Sequence, residues 1–118
     1  MVNYSAGDLD RTFSALTDAT RRSILTRLEA EGPITVSDIA EPLIIKLPAV
    51  LKHLGVLEDA RLIRRTKVGR VVTITIEPEP MKAALAWLKR YERFWAPRLD
   101  SLARYAEAKE RTARRKNK

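Results

Sequence analysis

Seven cationic side chains lie between Lys46 and Arg70 against two carboxylates, Glu58 and Asp59, and six lie between Lys109 and Lys118 against Glu110 alone. Each segment is net +5 in a chain of +8, so the remaining residues are slightly acidic. Cations gathered this way are the electrostatic footprint of a polyanion binder, whose Lys and Arg neutralise phosphates.

Other chemistries are poorly served. There is no cysteine, so disulfides, thiolate ligands and thiol switches are excluded, and His53 is the single imidazole. His53 has three readings: a helix-packing residue with a satisfied ring nitrogen, a DNA contact, or, least of all, a metal ligand. The paired acids Asp8 and Asp10, Glu29 and Glu31, Glu58 and Asp59, and Glu77 and Glu79 fall at helix ends or on polar faces, where carboxylates cap helices or solubilise them. Four scattered glycines make no phosphate loop, and Ser37 suits a helix start better than a nucleophile. The expectation is a protein that is not an enzyme, with no catalytic residue, no metal site and no cofactor.

The elements that must position these cations follow from spacing. At 118 residues and 45% hydrophobic content, one domain with a modest core is expected. Met1 to Gly7 lacks the apolar run of a leader, and no stretch approaches the roughly 18 apolar residues of a membrane span, so a soluble, cytoplasmic protein with no membrane partner is expected. Asp8 caps a first helix with Leu9, Phe13 and Leu16 at helical spacing. Asp18 caps a second, through Ile24, Leu25 and Leu28, which Gly32-Pro33 stops. Thr35 and Asp38 form a capping-box pattern for a short helix through Ile39 and Ala40, ended by Pro42. Pro42 to Lys46 is a turn, and Pro48 suits the first turn of the next helix.

In that helix Val50, Leu54 and Leu57 share one face and belong to the core. Setting Val50 inward sends Pro48, Ala49, Lys52 and Val56 outward, with Leu51 and His53 on opposite flanks. Leu62 to Thr66 and Val71 to Ile76 then read as strands of a hairpin around Lys67-Val68-Gly69-Arg70, where Gly69 supplies positive φ. From Met81 a long helix carries Leu85, Leu88, Tyr91, Trp95, Leu99, Leu102 and Ala106 on one stripe, with Trp87 and Phe94 partly off its axis. Pro97 is expected to kink or split it near Phe94 to Trp95. Residues 1–7 read as a flexible N-terminus and residues 108–118 as a basic, disordered tail.

Three runs, Pro33-Ile34-Thr35-Val36-Ser37-Asp38-Ile39-Ala40, Lys46-Leu47-Pro48-Ala49-Val50-Leu51-Lys52-His53-Leu54 and Leu57-Glu58-Asp59-Ala60-Arg61-Leu62-Ile63-Arg64-Arg65, precede the Gly69-Arg70 turn and the aromatic C-terminal helix. Together they resemble the cysteine-free branch of the ArsR/SmtB family of winged-helix repressors. The resemblance implies a mainly α fold with a small β-hairpin, a winged helix-turn-helix of about five helices plus wing, over residues 8–107. It implies a homodimer bound to double-stranded DNA at an inverted-repeat operator, repressing by promoter occlusion. Pro48, Ala49, Val50, His53 and Leu54 match the family's DNA-contacting segment. The implied DNA-binding residues are Lys46, Pro48, Ala49, Leu51, Lys52, His53, Arg65, Lys67 and Arg70. The implied dimer interface draws Leu9 and Phe13 from the first helix and Leu85, Leu88, Tyr91, Trp95, Leu99 and Leu102 from the last.

The chain departs from that pattern at Lys46 and Leu51, where small hydroxyl residues are usual, which opens the alternative of a protein-interaction and dimerisation module with weak or nonspecific DNA binding. The family's metal-responsive members cluster ligands on the third or fifth helix; here neither helix has cysteine or histidine, and Glu92 and Asp100 stand apart. A small-molecule inducer stays open, since an apolar cleft near Trp87 and Trp95 could hold one.

Overall fold

The computed structural model describes residues 6–116, with the side chain of Lys116 left aside. It divides into two compact units, Met1–Ala84 and Leu85–Lys118.

In the first unit, α1 (Ala6–Ala15) and α2 (Ala19–Glu31) are followed by β1 (Ile34–Thr35), α3 (Val36–Ala40), α4 (Leu47–Asp59), and the strands β2 (Ile63–Val68) and β3 (Val71–Ile76). The start of α5 (Glu79–Lys89) completes it. Local signals set most of these boundaries. Asp18 takes the Arg21 amide on Oδ1 at 3.0 Å, and Thr35 Oγ1 takes the Asp38 amide at 3.2 Å, each satisfying a first-turn donor. Gly32, at φ 80°, closes α2 by donating to the Leu28 carbonyl. Asp8, by contrast, is not the cap of α1: the helix begins at Ala6, and Asp8 sits in its first turn paired with Arg11. Ala6 and Gly7, read as part of a flexible terminus, are helical; Met1 to Ser5 lie outside the described residues.

The hairpin is closed by Gly69 and Arg70 alone, shorter than the four-residue turn expected. Gly69 at φ 63° followed by a residue of negative φ suits a type II′ turn, whose twist matches the strands. The register pairs Val68 with Val71, Arg65 with Ile74 and Ile63 with Ile76. A third strand joins on the other side, since Ile34 and Thr35 pair antiparallel with Ile74 and Thr73, giving the order β1-β3-β2. Two residues are too few to show alternation, which is why spacing did not reveal β1. Ile24 and Leu28 of α2, Ile39 of α3, the Val50, Leu54 and Leu57 face of α4, Leu62 and Ile74 pack into one core, all at most 1% exposed.

In the second unit the continuous helix expected from Met81 is two helices, α5 and α6 (Glu92–Lys116), making six helices among the described residues. The break falls at Arg90 and Tyr91, upstream of the expected site, in a tight turn where the Tyr91 amide bonds the Leu88 carbonyl and the Phe94 amide bonds Tyr91. Pro97 lies inside α6. Its ring opposes the carbonyl four residues back, and with the helix starting afresh at Glu92 that crowding falls in the opening turns. Residues 109–116, expected to be disordered, continue α6; Lys109 lies over the Tyr105 ring at 5.0 Å and the Thr112 hydroxyl donates to Ala108. Ala, Arg, Lys and Glu dominate this stretch and are strong helix formers. Asn117 and Lys118 lie outside the described residues. No described helix is long and apolar enough to cross a membrane.

The C-terminus of α4 carries local strain. Arg61 has φ 60°, the Leu62 amide bonds Leu57 at 3.0 Å and the Arg61 amide bonds Glu58 at 2.9 Å, the pattern of a Schellman cap with arginine where glycine is usual. A β-carbon in the left-handed region costs about 1 kcal/mol. Arg61→Gly is therefore expected to stabilise the protein by about 1 kcal/mol in urea unfolding, and an unchanged or lower midpoint would contradict this origin of the strain.

Candidate nucleic-acid interface

The short α3, the turn from Glu41 to Lys46, and α4 make a helix-turn-helix, with the β2–β3 hairpin as its wing. Arg27 of α2 holds the end of α3 by donating to the carbonyls of Ile39 at 3.1 Å and Asp38 at 3.0 Å, while also pairing with Glu31. Those carbonyls are orphaned by the end of the helix, and a guanidinium with several donors satisfies two at once.

The exposed face of α4 carries Pro48, Leu51 and Lys52, while Ala49 is half-buried. Val56, expected to face outward, is half-buried against the core, because its side of the helix meets neighbouring elements near the C-terminal end. Lys46 is extended at φ −71°, ψ 153° and provides no side-chain cap, so the first amides of α4 keep no side-chain partner at the N-cap. Such a helix start favours an anion, and an ammonium beside it adds to the attraction.

On the wing, Lys67 and Arg70 are exposed and enter no ion pair among the described residues. Arg65 is engaged instead: its Nε donates to Glu58 at 2.9 Å, just as Arg64 meets Glu77 at 3.1 Å. Both pairs are solvent-accessible and individually weak, so a phosphate can compete for either arginine. Leu51, Ser37, Arg65 and Arg70 share a cleft of about 390 Å³ between α3, α4 and the wing. The structure thus brings Leu51 together with the wing cations.

His53 takes a different place. It is half-buried, with Nδ1 3.2 Å from Arg21 Nη1 and 3.9 Å from Asp18 Oδ1. A guanidinium can only donate, so Nδ1 accepts and the neutral ring carries its hydrogen on Nε2. This geometry agrees with the reading of His53 as a packing residue with a satisfied nitrogen. Arg21 also donates to the carbonyls of Ala15 at 2.8 Å and Ser14 at 3.3 Å, so one side chain ties the end of α1 and the start of α2 to α4. Nothing in spacing announced it, because Arg21 and His53 stand 32 residues apart.

Of the residues expected to dimerise, Leu9 and Phe13 are half-buried in the first unit. Leu85, Leu88, Tyr91, Trp95, Leu99 and Leu102 are exposed, divided between α5, the turn and α6. Within the second unit Tyr91 stacks at a tilt on Trp87, with centroids 5.2 Å apart, and meets Phe94 at 6.5 Å. No group of three or more His, Cys, Asp or Glu that could hold a metal occurs among the described residues.

The Arg21 amide bond, aided by the Arg21 charge, holds the Asp18 carboxyl below its ordinary value of 3.8, against a smaller opposing effect of burial. A lowered folded value means that the unfolded chain binds the proton more readily, so the stabilisation is complete above the ordinary value and lost as pH falls through the folded one. Asp18→Asn, which can still cap, should accordingly lose less of its melting temperature than the wild type between about pH 5 and about pH 2. Parallel acid profiles would show that the charge contributes nothing.

Residues 16–66 match a helix-turn-helix domain family. The HTH-type transcriptional regulator Rv2034 of Mycobacterium tuberculosis is 36% identical over 99 residues, covering 84% of this chain and 89% of the relative. The transcriptional repressor SdpR of Bacillus subtilis is 29% identical over 83 residues, covering 70% of this chain and 91% of SdpR. The crystal structure of an ArsR family transcriptional regulator, RHA00566, superposes with a TM-score of 0.72 at 45% identity, covering 81% of this chain and 97% of that one. An ArsR-like regulator from Rhodococcus sp. RHA1 gives a TM-score of 0.64 at 30% identity, with 85% and 93% coverage. With the wing, the reading helix and the cysteine-free sequence in place, the chain belongs to the ArsR family of winged helix-turn-helix transcriptional regulators and is not an enzyme.

Proposed function

We propose that the protein is a homodimeric, sequence-specific repressor that acts in the cytoplasm on an inverted-repeat operator and excludes polymerase from an overlapping promoter. The observation that carries this reading is the division of α4: Val50, Leu54 and Leu57 are fully buried, while Pro48, Leu51 and Lys52 stand exposed on the other side. A helix so divided can lie in the major groove with its N-terminal residues nearest the bases. Lys46, Lys67 and Arg70 would meet the backbone, and Arg65 would join them by leaving Glu58. Ala49 adds a small apolar contact, and His53 offers its Nε2 hydrogen. Repression is supported by likeness to SdpR, which is named a repressor.

Dimerisation is supported by the exposed stripe of Trp95, Leu99 and Leu102 on α6, with Leu85, Leu88 and Tyr91 before it. Single exposed leucines are ordinary, but a contiguous aromatic and aliphatic stripe is what a partner buries. A second copy is the occupant we assign, with Leu9 and Phe13 contributing from α1. No metal effector is assigned, because the chain has no cysteine and one histidine.

Two measurements test this. On a duplex selected from a random library, Lys52→Ala should cost about 1–3 kcal/mol and much less on a scrambled duplex; equal losses would refute base reading by Lys52. Trp95→Glu should shift light-scattering mass from dimer to monomer and weaken operator binding in step. A wild type that is monomeric at micromolar concentration, free and on DNA, would overturn the dimer.

A further inference from the structure

Among the described residues of the first unit, six large apolar side chains are exposed: Ile44 at 102%, Ile45 at 39%, Leu47 at 52%, Leu51 at 41%, Val68 at 74% and Val71 at 53%. All six lie in the turn before α4, on α4 itself, or at the tip of the wing. The same segments hold Lys46, Lys52, Lys67 and Arg70. Exposed apolar surface and unpaired positive charge are therefore gathered on one set of elements, which asks for a partner that is anionic and also presents apolar groups.

Leu47 and Leu51 stand one turn apart on a single ridge of α4, about 6 Å along the axis. Neither can donate or accept a hydrogen bond, so neither gains anything from a phosphate or a base heteroatom. In the major groove the apolar group that base pairs present is the thymine C5-methyl. Six ångströms is close to two base-pair steps of about 3.4 Å. An anionic membrane surface also combines charge with apolar depth, but segments that enter it favour aromatic anchors, and none of the six side chains is aromatic. Leu51 moreover lines the cleft shared with Ser37, Arg65 and Arg70.

We propose that Leu47 and Leu51 are specificity-determining residues that read thymine methyl groups, so that each half-site carries thymines one or two base pairs apart beneath the start of α4, with Ile45 extending the same apolar edge. This rests on the DNA-reading function above. It also accounts for Leu51 itself: in place of a hydroxyl that would bond a base or phosphate, the helix offers a methyl-sized hydrophobic contact. Burying one methyl group is worth about fourfold in affinity, the equivalent of about 0.8 kcal/mol.

The test uses the full chain and a duplex it selects from a randomised library, remade with uracil for thymine, which removes the methyl and keeps the pairing. Each uracil under α4 should weaken wild-type binding about fourfold, and two together about sixteenfold. Leu51→Ala, checked for an unchanged circular-dichroism melt, should lose sensitivity to one of these uracils, and Leu51→Met should regain it. A selected duplex bound equally well with uracil would overturn methyl reading while leaving the regulator function intact. Failure to enrich any duplex, with binding instead to phosphatidylserine-containing vesicles that Leu47→Ser abolishes, would overturn both. The uracil comparison is made on the wild type and so does not depend on any variant folding.

Discussion

Everything in the reading head depends on burying one face of α4. Val50, Leu54 and Leu57, all 0% exposed, pack with Ile24 and Leu28 of α2, Leu62, and Ile74 of the central strand. Each such side chain contributes about 1.5–3 kcal/mol by leaving water, against the conformational entropy of an ordered helix. Burial sets the rotation of α4 about its axis, and with the rotation set, Pro48, Leu51 and Lys52 have no choice but to face outward. The exposed surface of α4 is the complement of its core surface, so a core substitution that rolled the helix by a fraction of a turn would redirect every outward side chain.

Polar interactions lock what burial orients. Arg21 satisfies the carbonyls at the end of α1, its own amide is received by the Asp18 cap, and its guanidinium reaches His53 on α4. Arg27 does the same for the end of α3. Both arginines lie on α2, which thereby holds the two helices of the helix-turn-helix through side chains that satisfy groups otherwise left without partners. No described buried side-chain nitrogen or oxygen lacks a partner, consistent with a scaffold whose polar groups are satisfied.

The charge distribution is more selective than composition suggests. Arg64 and Arg65 are met by Glu77 and Glu58, whereas Lys46, Lys52, Lys67 and Arg70 enter no ion pair among the described residues. The carboxylates sit at the root of the wing and the uncompensated cations at its tip and at the start of α4. Cations without a carboxylate partner are free to attract a phosphate backbone, which favours rapid, salt-dependent association. The exposed aliphatic side chains in the same segments add a contact that salt does not screen.

Local chemistry made much of this legible from the residues alone. Caps at Asp18 and Thr35, the stop at Gly32, the positive φ of Gly69, and the buried face of α4 follow from propensities that act within one or two turns. The family resemblance rested on the same short runs, and the fold agrees with it. What the tertiary structure decided involves partners distant in sequence or too short to pattern. The strand at Ile34 and Thr35 exists because β3 offers it an edge, and Arg21 meets His53 only once α2 and α4 pack. Arg61 is held in the left-handed region because the chain must turn from α4 into the sheet, whatever residue stands there. The outward turn expected of Val56 failed for the same reason, since periodicity gives directions around one helix and only the neighbours decide how wide its buried face is.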